Sequence, residues 1–196
     1  MASKDQESVY PLEGGCACGL IRYRLEIRPL IVHCCHCTAC QRESGSAFAI
    51  NLQTESKMVT GLPSTAVKIP ASINSPAKPA GPILVPATGH IVEPELVTVP
   101  SESGEGQDLA RCPTCRVAVW SHYGGTESLV KFVKGGTLDE AWKVQPDVQI
   151  YTRSKRSFFK LDGSVPEFEE FYRRNEVWRA ESLERWEQMI RDNGRQ

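Results

Sequence analysis

The sequence predicts a mainly β protein built around metal-bound cysteines, with helix confined to its C-terminal tail. Three features carry that expectation. Apolar and charged residues alternate along Leu20 to Ile27, the period-two signature of a half-buried strand. Eight of the thirteen prolines fall between Gly61 and Gly106, a density that excludes a long helix and central strands there. The eight cysteines come in tight groups, with Cys34, Cys35, Cys37 and Cys40 in the middle, Cys16 and Cys18 before them, and Cys112 and Cys115 after them. Pairs spaced like these, in a protein expected not to be secreted, are read most simply as zinc ligands.

The 196 residues suit one domain with an appendage: a zinc-binding β domain over 1–163 and a helical extension over 164–196 packed on it. A net charge of -1 argues against nucleic acid as a partner. The first fifteen residues lack the apolar run of a secretory leader, and no later segment is apolar enough to span a bilayer. A reducing, cytoplasmic setting is therefore expected, with free or metal-bound thiols rather than a disulfide scaffold.

Taken in order, Gly14–Gly15 precede Cys16 and Cys18, which are expected on one side of the chain in a glycine-flanked turn before the first strand. Pro29 breaks that strand, and Leu30 to Val32 lead into VHCCHCTAC. If extension continues, Cys35 and Cys37 share one face while Cys34 and His36 share the other. Cys40 follows beyond a turn, completing a CxCxxC set. The stretch AFAINLQ reads as a second strand. An insertion over about 61–106 follows, an extended loop with short strands at 65–69, 83–85 and 96–99, of the kind that serves as lid, binding element or flexible insertion.

Next, DLARCPTCRVAVWSHY is a knuckle feeding a strand that Gly124–Gly125 closes. SLVKFVKGGTL gives another strand and turn, and VQIYTRSKRSFFKL a further one rich in aromatics. In the tail, Ser164, Pro166 and Glu167 form a capping-box start for a helix carrying Phe168, Phe171 and Tyr172. A second helix carries Leu183, Trp186, Met189 and Ile190 as a core-facing stripe and ends at Asn193–Gly194.

Spacing leaves two ligand arrangements open. In one, Cys16, Cys18, Cys112 and Cys115 close a four-thiolate site and Cys35, Cys37 and Cys40 form a three-ligand site with a free position. In the other, Cys34 joins the central cluster and both sites are closed. A closed site is structural, contributing on the order of 10 kcal/mol to folding; an open one admits water or substrate. Adjacent residues on a strand are awkward ligands for one ion, which favours the open arrangement and leaves Cys34 as a small buried hydrophobe. His36 would then point away in a structural role. Arg42, Ser44 and Ser46 are candidates either for binding a substrate anion or for closing their own turn. His33, His90, His122 and Tyr123 read as structural or solvated.

The segments GGCACGLIRY, CHCTACQRESGSAF and RCPTCRVAVW, in that order, resemble the glutathione-dependent formaldehyde-activating enzymes, a family that also includes CENP-V-type proteins; PDVQIYTRSK and the tail resemble its fungal-type branch. The resemblance implies several coiled antiparallel sheets of the Mss-four-like type and two zinc ions per chain. Cys16, Cys18, Cys112 and Cys115 match the structural site, and Cys35, Cys37 and Cys40 the catalytic one. It further implies a carbon-sulfur lyase that adds glutathione to formaldehyde, giving S-hydroxymethylglutathione. The chain differs from that pattern in Arg116 after the second knuckle, in its long insertion and in Cys34. Two other readings stand beside this one: tailoring of a larger metabolite at the same zinc by elimination or dehydration, and a non-catalytic zinc module for protein contacts.

Overall fold

The computed structural model describes residues 9–65, 88–124 and 127–194. The expected strands at 65–69 and 83–85 lie almost wholly outside them. The described residues form two sheets with few short helices. A three-stranded antiparallel sheet comprises β1 (Leu12–Gly15), β2 (Arg22–Leu25) and β5 (Val59–Leu62), in the order β1-β2-β5. The second sheet comprises β3 (Ile31–Cys35), β4 (Ala49–Glu55), β6 (Glu95–Val99), β7 (Gln107–Arg111), β8 (Ala118–Tyr123), β9 (Val130–Lys134) and β10 (Val148–Ile150). Its order is β10-β3-β4-β9-β8-β7-β6, antiparallel except where β10 runs parallel to β3.

The alternation over 20–27 buries Ile21, Tyr23 and Leu25 as expected. Arg22, on the other face, is buried too, because Asp139 takes its guanidinium bidentately at 2.8 and 2.5 Å. Strand β3 is buried at every position, consistent with its place between β10 and β4.

Two cores result. Leu12, Tyr23, Leu25, Leu52, Val119 and Val133 form the first, together with Cys16, Cys18 and Cys112. The second gathers Leu30, Val148, Ile150, Tyr172 and Trp178 around Cys35, Cys37 and Cys40.

The tail departs from expectation. No helix starts at Ser164; the Ser164 N–H bonds Asp162 Oδ1 at 2.9 Å, and the chain then runs extended beside β10. Gln149 N–H donates to Pro166 O at 2.9 Å and Phe168 N–H to Gln149 O at 3.0 Å, while Glu167 makes a parallel bridge to Gln149. Among the described residues β10 has no other neighbour on that side, and the tail satisfies its backbone groups, which outweighs a local capping preference. Helix begins only at α2 (Arg174–Val177), a single turn. The expected second helix forms as α3 (Ala180–Asp192), fixed to β4 by Arg185, which grips the buried Glu55 at 2.9 and 2.7 Å.

Candidate metal centres and the cavity beside one of them

Cys16 and Cys18 lie in the loop between β1 and β2, in a turn closed by Gly19 N–H to Cys16 O at 3.1 Å rather than in extended chain. Gly15 is needed there: a Cβ on it would sit 2.3 Å from Ile21 O. The loop is tied by Cys16 N–H to Ile21 O at 3.0 Å, and Cys112 N–H to Val117 O at 3.0 Å ties its counterpart between β7 and β8. A bulge at Ala110/Arg111 re-aims the chain just before Cys112. Arg116 adopts φ 62°, the left-handed region that glycine takes without strain.

The four sulfurs of Cys16, Cys18, Cys112 and Cys115 lie within 4.8 Å of one another, with 3.5 Å from Cys16 to Cys18 and 3.6 Å from Cys18 to Cys112. A zinc tetrathiolate with bonds of about 2.3 Å has edges of about 3.8 Å, so the donor set fits such an ion. The backbone supports one thiolate here. Against the burial that raises it, the N–H groups of Val117 and Cys18 hold Cys115 down at about 7, whereas burial drives Cys18 up to about 12.

Cys35, Cys37 and Cys40 converge the same way, within 4.8 Å, all three buried. Cys35 ends β3. Cys37 is the N-cap of α1 (Thr38–Ser44), its Sγ accepting from Cys40 N–H at 3.3 Å. Cys40 thus comes from the first turn of a helix rather than from beyond a simple turn, and the (i, i+3) spacing brings its sulfur back over Cys37. The thiols of Cys35 and Cys40, with the Cys40 N–H, hold Cys37 down to about 3; Cys35, bonded to Cys37, is driven far up. The protein alone therefore favours one thiolate in this cluster. Ionising all three in so buried a place requires a cation, and the nearby ammonium of Lys134 is held by Glu43 Oε2 at 3.1 Å and Asn51 Oδ1 at 3.2 Å. Asn51 in turn directs Nδ2 to Cys40 Sγ at 3.8 Å.

Cys34 stands apart from the cluster. Its sulfur lies 3.6 Å from His36 Nε2 on the opposite face of β3, where burial pushes the thiol up to about 12. His36 bonds Gln149 Oε1 at 2.8 Å and packs on Phe48 and Phe159, as the parity of the strand implies. Among the other sequence candidates, Ser44 Oγ is satisfied by Cys40 O at 2.8 Å, and Arg42 and Ser46 are exposed, Arg42 beside a neighbouring hollow. His122 Nδ1 bonds Val130 O at 2.8 Å, and His90 is exposed.

Cys35 and Cys37 reach the wall of a cavity of about 690 Å³. His33, Tyr123, Phe132, Tyr151 and residues of the tail line it as well. Tyr151 holds φ 57° where β10 ends, a strained non-glycine conformation of the kind that clusters at functional sites. His33, fully buried and pushed down to about 3 by that burial, is neutral and shares a hydrogen bond of 2.6 Å with Tyr172 Oη, while Trp178 Nε1 donates to the same oxygen at 2.8 Å. This relay fastens the tail to β3. The core-facing stripe expected of the second helix forms, with Leu183 and Trp186 packed on the second core and Met189 buried, and Trp186 also helps to wall the cavity.

A β fold with two converging sulfur clusters that could hold metal defines a class of thiolate-rich metal-site proteins. More narrowly, the chain belongs to the glutathione-dependent formaldehyde-activating enzyme family, whose model matches residues 11–75 and 84–154. No curated protein matches the chain. A crystal structure of a Rhodobacter sphaeroides protein, a structural-genomics target, is similar over 80% of this chain and 99% of its own, with 15% identity and a TM-score of 0.39. Among the described residues, no helix is long and apolar enough to cross a membrane.

Proposed function

We propose that this chain is a zinc-dependent enzyme of the carbon-sulfur lyase type, acting on a carbonyl compound or its thiol adduct at the centre formed by Cys35, Cys37 and Cys40. Cys16, Cys18, Cys112 and Cys115 hold a second, structural zinc. One observation carries the reading: three sulfurs converge beside a cavity while the adjacent Cys34 turns away, so the chain offers this centre three ligands and space for a reactant. Membership of a formaldehyde-activating family supports the carbonyl and thiol chemistry.

Zinc in such a site supplies Lewis acidity toward a carbonyl oxygen, or keeps a thiol ionised at neutral pH. The remaining work falls to the chain. Asn51, held by Lys134, orients Cys40 and offsets charge on its sulfur. Tyr123 and Tyr151 line the cavity, and burial together with the negative charge of the cluster raises both phenols, so Tyr151 remains an O–H donor toward a substrate oxygen. The aromatic walls surround the approach to the centre with apolar surface.

The test is a zinc count paired with turnover. Protein with two zinc ions should convert a thiol and an aldehyde, drawn from a panel that includes glutathione and formaldehyde, to the hydroxyalkyl thioether, followed by NMR, and Cys40→Ser should abolish this while leaving one zinc bound. A fully loaded wild-type protein that turns over no aldehyde or thiol adduct would overturn the lyase reading.

A further inference from the structure

The cavity beside Cys35 and Cys37 is far larger than a one-carbon aldehyde needs. At about 690 Å³ it belongs with sites that take drug-sized ligands, roughly 300–1,000 Å³. Its walls are aromatic on two sides. Tyr123 and Phe132, from β8 and β9, meet at 4.7 Å between ring centroids. Facing them from the tail, Phe171 stacks on Tyr172 at 4.7 Å and 12°, and Trp178 meets Trp186 edge to face at 5.6 Å.

Phe171 is 53% exposed, an aromatic kept at a cavity wall that core packing does not account for. Flexible peptides such as glutathione, with two carboxylates, call for fixed cations. The charged residues lining this cavity among the described residues are Arg173, Arg174, Glu102 and Glu105, which cancel, and the Arg174 guanidinium carbon sits over the Trp186 ring, 3.8 Å from its centroid. The tail wall also lies outside the segments that match the family, 11–75 and 84–154. The family-matched part brings the three sulfurs together, and a segment outside that match shapes what reaches them.

We propose that the cavity seats a bulky, planar aromatic aldehyde or ketone between the Tyr123–Phe132 pair and the Phe171 and Trp178 rings, with its carbonyl directed to the three-cysteine centre. This rests on the reading of that centre given above. Ring-on-ring contact supplies affinity in this arrangement and the centre supplies selection for the carbonyl.

The experiment is titration of the zinc-loaded protein with 2-naphthaldehyde, 2-methylnaphthalene and glutathione, followed by quenching of tryptophan fluorescence. Both naphthalenes should bind, the aldehyde more tightly, and glutathione should leave the signal unchanged at the same concentrations. Phe171→Ala should weaken both naphthalenes roughly three- to tenfold; Phe132→Leu, on the opposite wall, serves as the second variant, with thermal melts to confirm folding. If neither naphthalene binds, or if both folded variants bind as wild type does, the aromatic seat is overturned and the centre's carbonyl chemistry is untouched. If both bind and weaken in the variants but the aldehyde holds no advantage over the hydrocarbon, the seat stands and the direction of the carbonyl to the centre is overturned.

Discussion

At Cys16, Cys18, Cys112 and Cys115, two loops from different sheets present four sulfurs to one another, joining residues 94 positions apart. At Cys35, Cys37 and Cys40, one strand-to-helix junction presents three sulfurs, and the neighbouring Cys34 faces His36 instead. The donor chemistry is the same and the topology is not. An ion in the first cluster bridges two sheets, so its site exists only once both have folded and its binding is coupled to folding; an ion in the second joins a single local junction. The first cluster should hold the fold, and the second is free to serve the cavity.

The sharpest way to break this comparison is a matched pair of substitutions. Cys112→Ser should destabilise the protein by on the order of 5 kcal/mol or more, read as loss of a cooperative thermal transition or of soluble protein. Cys40→Ser should cost at most about 2 kcal/mol. Equal losses for the two would remove the distinction.

The wall of the cavity can be loosened without touching either cluster. Arg185→Ala leaves Glu55, only 3% exposed, without its bidentate partner, and should cost about 3–5 kcal/mol in urea unfolding. Because α3 carries Trp186, its fluorescence should also shift to the red. Tyr172→Phe is gentler: it strands His33 Nε2 and Trp178 Nε1 in a buried place and should cost about 1–3 kcal/mol, with zinc content unchanged.

Arg116→Gly should have the smallest effect. It relieves the left-handed backbone of the second knuckle at the expense of an exposed ion pair to Glu95 and a more flexible unfolded chain, for a net gain below about 1 kcal/mol in thermal stability.

Much of this was legible in the sequence, and the rest was not for definite reasons. Cysteine spacing and strand parity separated Cys35 and Cys37 from Cys34 and His36, because side-chain alternation is a local property of extended chain. Period-two patterning found β2, whereas β1 and β5, four residues each, were not expected. The tail failed because a capping box is also local, whereas the free edge of β10 that captures Pro166 to Glu170 is made by distant residues. Asn51 gave no signal at all: a single amide in a strand says nothing until β4 and β9 set it between Cys40 and Lys134. The positive φ of Arg116 had a trace in the sequence, as one of the positions where the chain departs from the pattern it resembles.

Zinc K-edge absorption of the fully loaded wild-type protein tests the central claim most directly. Two ions should share seven sulfur ligands, four from one cluster and three from the other, with the remaining position taken by an oxygen or nitrogen that substrate analogues displace. Eight sulfurs over two ions, with Cys34 drawn into the second site, would contradict it.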